Sequence, residues 1–208
     1  MFKMKKLSKL IIGIGGNLNS SDGLHPIQVG KKAILQMQSF SIKVQKISSW
    51  YISEPIPISD QPNFFNCIVF ANTYLNEFDV LKNLHQIEAN LGRLRVNINE
   101  PRSIDLDLID FCNRISKDNR LIIPHPRAHL RRFVMEPIAE IDPSWVHPIQ
   151  KLNAKQILSK LKKQKIKIYE EHKIIDWFFY TKALLKYNLY GVLNGTCNSS
   201  RLYNKNSQ

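Results

Sequence analysis

The chain is poor in cysteine, in glycine and in long apolar runs, and each shortage excludes a class of protein. Its three cysteines, Cys67, Cys112 and Cys197, are odd in number, far apart and in no C-x-x-C spacing. That pattern argues against a disulfide framework and against a zinc site, and reads as free thiols. No eighteen consecutive residues are apolar, so a transmembrane helix is not expected. The eight glycines form no G-x-x-x-x-G-K-[ST], and the run Gly13-Ile14-Gly15-Gly16-Asn17-Leu18 breaks G-x-G-x-x-G at Leu18. A nucleotide site here is therefore neither a P-loop nor a Rossmann one. Met1–Lys9 is basic like the start of a signal peptide, but the apolar run Leu10–Ile14 is too short and no small-residue cleavage site follows, so cytoplasmic residence is expected.

Acid is scarce as well, and the net charge is +13. Its distribution matters more than its size. Residues 1–9 carry four lysines and no acid, residues 151–173 carry eight lysines against Glu170 and Glu171, and residues 174–208 carry four bases against Asp176. Residues 10–150 hold fourteen bases and fourteen acids. The neutral centre argues against a nucleic-acid-binding protein, and basic flanks of this kind are usually solvated tails.

What is present is a chain of 208 residues, 43% hydrophobic, sufficient for one well-packed core. Leu10–Gly15 reads as a strand, Ile27–Phe40 as a helix and Ile42–Ile52 as a strand by the spacing of apolar residues. Ser53–Pro62 contains Pro55, Pro57 and Pro62 and must be a stiff irregular loop. Cys67–Ala71 is a strand, and Glu77–Leu91 an amphipathic helix ended by Gly92. A polar loop leads to Pro101, another strand follows, and Ala154–Leu161 is a short helix. Strand, helix, strand, strand, helix, strand is the split β-α-β order of a ferredoxin-like α+β fold: a single domain with an antiparallel sheet and helices packed on it. The expected division is a basic extension over 1–9, the domain over 10–165 and a C-terminal extension over 166–208.

The chemistry concentrates in Pro101-Arg102-Ser103-Ile104-Asp105-Leu106-Asp107-Leu108. Side chains alternate along a strand, so Asp105 and Asp107 share one face while Ile104, Leu106 and Leu108 point into a core. Two anions on one face, with no base between them, call for a cation, and Mg²⁺ is commonly held by one or two carboxylates plus substrate phosphates. The same pair could serve another D-x-D nucleotide enzyme such as a glycosyltransferase, although such enzymes usually need a larger nucleotide-binding scaffold.

Four clusters ask for one explanation: Gly15-Gly16-Asn17-Leu18, Gln61-Pro62-Asn63-Phe64-Phe65-Asn66, the aspartate strand, and Pro124-His125-Pro126-Arg127 with Arg131-Arg132-Phe133. Over roughly residues 10–150 their order and spacing resemble the 6-hydroxymethyl-7,8-dihydropterin pyrophosphokinases. That resemblance implies a folate-pathway enzyme that moves the β,γ-pyrophosphate of ATP onto a pterin alcohol. It also implies two Mg²⁺ ions on Asp105 and Asp107, and phosphate-binding arginines at Arg93, Arg95, Arg102 and Arg131. The implied pterin site consists of Phe64 and Phe133 as stacking rings, Asn66 as edge-reading amide, and Ser53, Pro55 and Ile56 in the proline loop. The implied ATP site consists of His85, Glu88, Arg102, Leu108, Arg120, Ile122 and His125. Small-molecule substrates, a monomer and no membrane or nucleic-acid partner complete the expectation. The chain departs from the pattern in having Gly16 where Ser is common, His85 where Gln is common, Pro126 after His125 where some members have Tyr, and no Trp in loop 95–102.

Overall fold

The computed structural model describes residues 6–93 and 100–170. Strand β1 (Ser8–Gly16) lies inside the sheet, between β4 (Phe64–Thr73) and β5 (Asp105–Phe111). Both neighbours are antiparallel to it, and its isoleucines are accordingly buried on both faces. Helix α1 (Pro26–Ser39) joins β1 to β2 (Ile42–Ile47), and α2 (Glu77–Asn90) joins β4 to β5. With β3 (Tyr51–Ser53) and β8 (Ile166–Ile168), the sheet order β5-β1-β4-β3-β8, with β2 also on β4, is the split β-α-β arrangement expected.

Local chemistry sets the helix ends. His25 caps α1: its ring Nδ1 accepts from Ile27 N–H at 3.3 Å, its own N–H donates to Gln28 Oε1, and Pro26 follows. Asn76 caps α2 by accepting from the N–H groups of Phe78 and Asp79, and Gly92 beyond its end has a positive φ of 80°.

The single strand expected over Ile42–Ile52 is broken into β2 and β3 (Tyr51–Ser53). Both halves still run along β4, and Ser48 bridges the break: its N–H donates to Ile68 O and its Oγ accepts from Ile68 N–H. The break accommodates Trp50, whose ring packs so closely on Gly30 of α1 that a Cβ there would lie 2.3 Å from it.

After β5 come a small hairpin, β6 (Ser116–Asp118) with β7 (Leu121–Ile123), then α3 (Arg132–Ile141) and α4 (Ala154–Lys160). Helix α3 was not apparent from the sequence, because Pro137 sits inside it. Val134, Met135 and Ile138 of α3 join Ile11, Ile68, Ile109, Trp145 and Ile157 in one buried cluster. By strand alternation Leu10, Ile12, Leu106 and Leu108 face the other way, toward α1 and α2.

The described residues through Tyr169 belong to the first of two units along the chain. Within the first, Ile166–Ile168, counted above with the C-terminal extension, form strand β8, which pairs with β3.

Candidate active site

The face of the sheet that carries Asp105 and Asp107 also carries Gly13, Gly15, Asn66 and Ile68, and it opens into a cleft of 490 Å³. Small residues are needed here. A Cβ on Gly16 would lie 2.5 Å from the Ser103 carbonyl, so the loop that enters β5 crosses directly over the end of β1. Asn17 fixes that crossing. Its Oδ1 accepts from Arg102 N–H at 2.9 Å and its own N–H donates to Arg102 O at 2.8 Å, while its amide Nδ2 donates to Gln61 Oε1 and Pro62 O, both at 3.2 Å.

Glu88, 2% exposed on α2, accepts from Leu106 N–H at 2.8 Å and pairs with Arg93, which also pairs with Asp105. Arg102 reaches the other oxygen of Asp105 at 2.5 Å. Burial alone would raise the Asp105 carboxyl, but Arg102 and Arg93 outweigh it and hold the group below its ordinary value. Asp107 behaves in the opposite way. Burial, then the negative charge of Asp105, push it up to about 6, only partly opposed by Arg131. No hydrogen bond or ion pair reaches Asp107 among the described residues.

The two aspartates therefore differ: Asp105 already has arginine partners, and Asp107 is the anion left to be neutralised. Hard carboxylate oxygens of this kind suit Mg²⁺. No third His, Cys, Asp or Glu joins them as a metal-holding group among the described residues, so phosphate oxygens and water would supply the remaining ligands.

The opposite wall is neutral. Asn66, 6% exposed, donates from Nδ2 to Ser53 Oγ at 3.0 Å. Phe64, Phe133, Pro55 and Ile56 line the same space. Arg102 stands over the Phe64 ring at 5.3 Å and Arg131 over the Phe133 ring at 5.4 Å, so each ring carries a guanidinium at its face.

Most of the expected residues thus meet in one cleft: Arg93, Arg102, Arg131, Asp105 and Asp107 with Ser53, Pro55, Ile56, Phe64, Asn66 and Phe133. Arg95 lies outside the described residues. The residues assigned to ATP are dispersed. Leu108 is core, Ile122 is exposed on the hairpin, and Arg120 pairs with Asp118 over the Phe78 ring. His85 lies on the exposed side of α2, and Glu88 points inward to Arg93 and Leu106. His125 stands beside the rim. Its Nδ1 accepts from Arg127 N–H at 3.3 Å, and burial together with Arg131 and Arg127 lowers its pKa to about 4, so the ring is neutral with Nε2 as donor. Arg127 itself lines the cleft, as does Gln61. Neither was assigned a role from sequence, nor was Asn17, although all three lie in the quoted clusters.

An antiparallel α+β fold that sets an acidic pair and several arginines opposite an aromatic and amide wall defines a transferase acting on polyphosphate. A family model described as 7,8-dihydro-6-hydroxymethylpterin-pyrophosphokinase (HPPK) matches residues 11–143, and the chain belongs to that family. It is 30% identical over 166 residues to the 2-amino-4-hydroxy-6-hydroxymethyldihydropteridine pyrophosphokinase of Bacillus subtilis, covering 80% of this chain and 95% of that one. The Haemophilus influenzae protein of the same name is 34% identical over 164 residues, covering 79% and 94%. The folic acid synthesis protein fol1 of Pneumocystis carinii is 36% identical over 172 residues, which are 81% of this chain but 23% of that longer protein. The wild-type crystal structure of Plasmodium falciparum HPPK-DHPS shares the fold, with a TM-score of 0.57 and 12% identity over 74% of this chain and 45% of that one.

Proposed function

We infer that the chain transfers the β,γ-pyrophosphate of ATP to the hydroxyl of 6-hydroxymethyl-7,8-dihydropterin, giving AMP and the pterin pyrophosphate in folate biosynthesis. The observation that carries this reading is the single cleft in which Asp105, Asp107, Arg102 and Arg131 face Phe64, Asn66 and Phe133. Phe64 and Phe133 both line this cleft, and a flat pterin would stack on them. Asn66 is oriented for it, because the bond from Nδ2 to Ser53 Oγ leaves Oδ1 as the acceptor for an exocyclic amino group.

Transfer of this kind is mostly positioning and charge neutralisation. Magnesium held by Asp105 and Asp107, two ions by our reading, would neutralise the phosphate oxygens. Arg93 sets the Asp105 carboxylate and, through Glu88, the start of β5. Arg131 has no ion pair among the described residues and Arg127 stands close enough to disfavour its charge, so both gain from an incoming polyphosphate. His125 Nε2–H is a further phosphate donor. No helix among the described residues is long and apolar enough to cross a membrane.

Incubation with ATP, Mg²⁺ and the dihydropterin tests the reading by the nucleotide formed. AMP with pterin pyrophosphate is the expected product pair. ADP would make the chain an ordinary kinase and sink the assignment.

A further inference from the structure

The loop after β3 supplies much of the wall opposite the aspartates through residues 53–57 and Ser59, with Gln61 at its far end, and its one charged lining residue, Glu54, is paired with Lys165. It has almost no regular structure, so its two ends decide where Pro55 and Ile56 sit. Asn17 ties the far end through Gln61 and Pro62. The near end is β3, only three residues long. On one side it pairs with β4, placing Ser53 opposite Phe64. Its other side would be an open edge with unpaired N–H and C=O groups were it not for β8.

β8 places Ile166 opposite Ser53, Lys167 opposite Ile52 and Ile168 opposite Tyr51. Three further contacts extend the pairing. Tyr169 N–H donates to Trp50 O at 2.7 Å. The Tyr169 ring meets Phe65 edge-on, with centroids 5.6 Å apart, and Phe65 lies between the clamp residues Phe64 and Asn66. Lys165 Nζ reaches Glu54 Oε1, in the first residue of the loop, at 3.0 Å. That ion pair is exposed and weak alone, but it acts on the residue next to the edge contact of Ser53. The matched family region stops at residue 143, well short of this segment.

Resting on the function inferred above, we propose that residues 165–169 are a positioning strap: they hold β3 and the entry of the loop, and so set affinity for the pterin without touching it. A strap of this kind acts on one substrate only. Loss of its grip frays the neutral wall locally and leaves the aspartates and arginines in place.

The test uses full-length variants. Tyr169→Pro removes the N–H that donates to Trp50. We expect its pterin KM to rise about fivefold to tenfold, with kcat within about twofold and the KM for ATP unchanged. Backbone amide exchange over residues 51–61, measured without any substrate, should quicken. Lys165→Glu should raise the pterin KM about twofold, and adding Glu54→Lys should restore it. An unchanged pterin KM and unchanged exchange in Tyr169→Pro would overturn the strap. So would a uniform fall in kcat and in affinity for both substrates, which is the signature of general destabilisation. Should Tyr169→Pro fail to fold, Lys165→Glu decides by the same exchange measurement, and unchanged exchange over 54–61 overturns the proposal. A wild-type chain that forms no AMP would overturn the function instead, since the exchange experiment needs no turnover.

Discussion

The two walls of the cleft are stabilised in opposite ways. On the neutral wall the Asn66 amide is already held by Ser53, and Phe64 and Phe133 each sit under a guanidinium, so its recognition groups are positioned before any substrate arrives. On the charged wall Asp105 is neutralised by Arg93 and Arg102, whereas Asp107 is a half-buried anion and Arg131 a half-buried cation, neither with an ion-pair partner among the described residues. A buried charge without a partner is costly. The charged wall is therefore complete only when a polyphosphate and its cations fill it, while the neutral wall is a preformed slot. The contrast predicts that damage to one side will separate from damage to the other in kinetics.

The largest effect should come from Asp107→Asn. It keeps the shape and removes the charge that would hold the metal, so kcat should fall by at least roughly 10²–10³, the scale for loss of one preorganised electrostatic group. Pterin affinity should hold, because no residue of the neutral wall changes. Near-wild-type AMP formation in a folded Asp107→Asn protein would remove the charged wall from catalysis and end the comparison.

Next in size is Asn17→Ala, which cuts a side chain that ties both walls. It removes the part-buried hydrogen bonds of the Asn17 side chain to Arg102 N–H, Gln61 and Pro62, each worth about 0.5–1.5 kcal/mol. In a protein of this size the melting midpoint should drop by roughly 2–4 °C per kcal/mol. The KM values for ATP and for pterin should rise together. A rise in one alone would show that the walls are held independently of Asn17.

The charged wall was the more legible in the sequence. Alternation in a strand put Asp105 and Asp107 on one face, and the structure agrees; the core positions of Ile104, Leu106 and Leu108 were equally plain. The order of strands and helices also followed from periodicity. What periodicity could not show was anything fixed by contact between distant segments. The break at Ser48–Trp50 depends on Gly30 of another element, α3 was hidden by Pro137, and Asn17 gains its meaning only where loops 61–62 and 102 meet. Glu88 read as a ligand for ATP, yet it faces inward to Arg93 and Leu106. β8 was invisible for the same reason: three residues in a lysine-rich run form a strand only because the edge of β3 is open to them.

Phe133→Ala should affect the neutral wall alone. Stacking on an aromatic ring adds about 0.5–1.5 kcal/mol beyond area burial, so the pterin dissociation constant should rise at least about twofold to tenfold. Binding of a nonhydrolysable ATP analogue with Mg²⁺, measured by calorimetry, should change little. Because Arg131 stands over this ring, a loss of analogue affinity matching the loss of pterin affinity would mean that Phe133 serves mainly to seat the guanidinium.

The smallest effect separates the walls by pH. Phe64, Phe133, Asn66 and Ser53 carry no group that titrates between pH 5 and 8, whereas Asp107 does, at about 6. Its folded value lies above its ordinary one, so the folded state binds this proton more tightly than the unfolded state does. Ionised Asp107 therefore lowers stability above pH 6, and that penalty fades as the pH falls through 6. Metal binding runs the other way, because it needs the ionised form. Between pH 7 and 5.5 the ionised fraction falls from about nine tenths to about one quarter, so the apparent affinity for Mg²⁺ should weaken roughly fourfold. Magnesium titrations of AMP formation at several pH values would show it, with pterin affinity constant across the same series. The stability side can be read without metal by melting wild type beside Asp107→Asn. The variant should be the more stable of the two at pH 7.5, and the gap should narrow as the pH falls through 6 and close only near pH 4, where the unfolded carboxyl is protonated as well. A gap that stayed constant with pH would mean that the Asp107 carboxyl does not titrate in this range, and the two walls would then differ in charge but not in their response to acid.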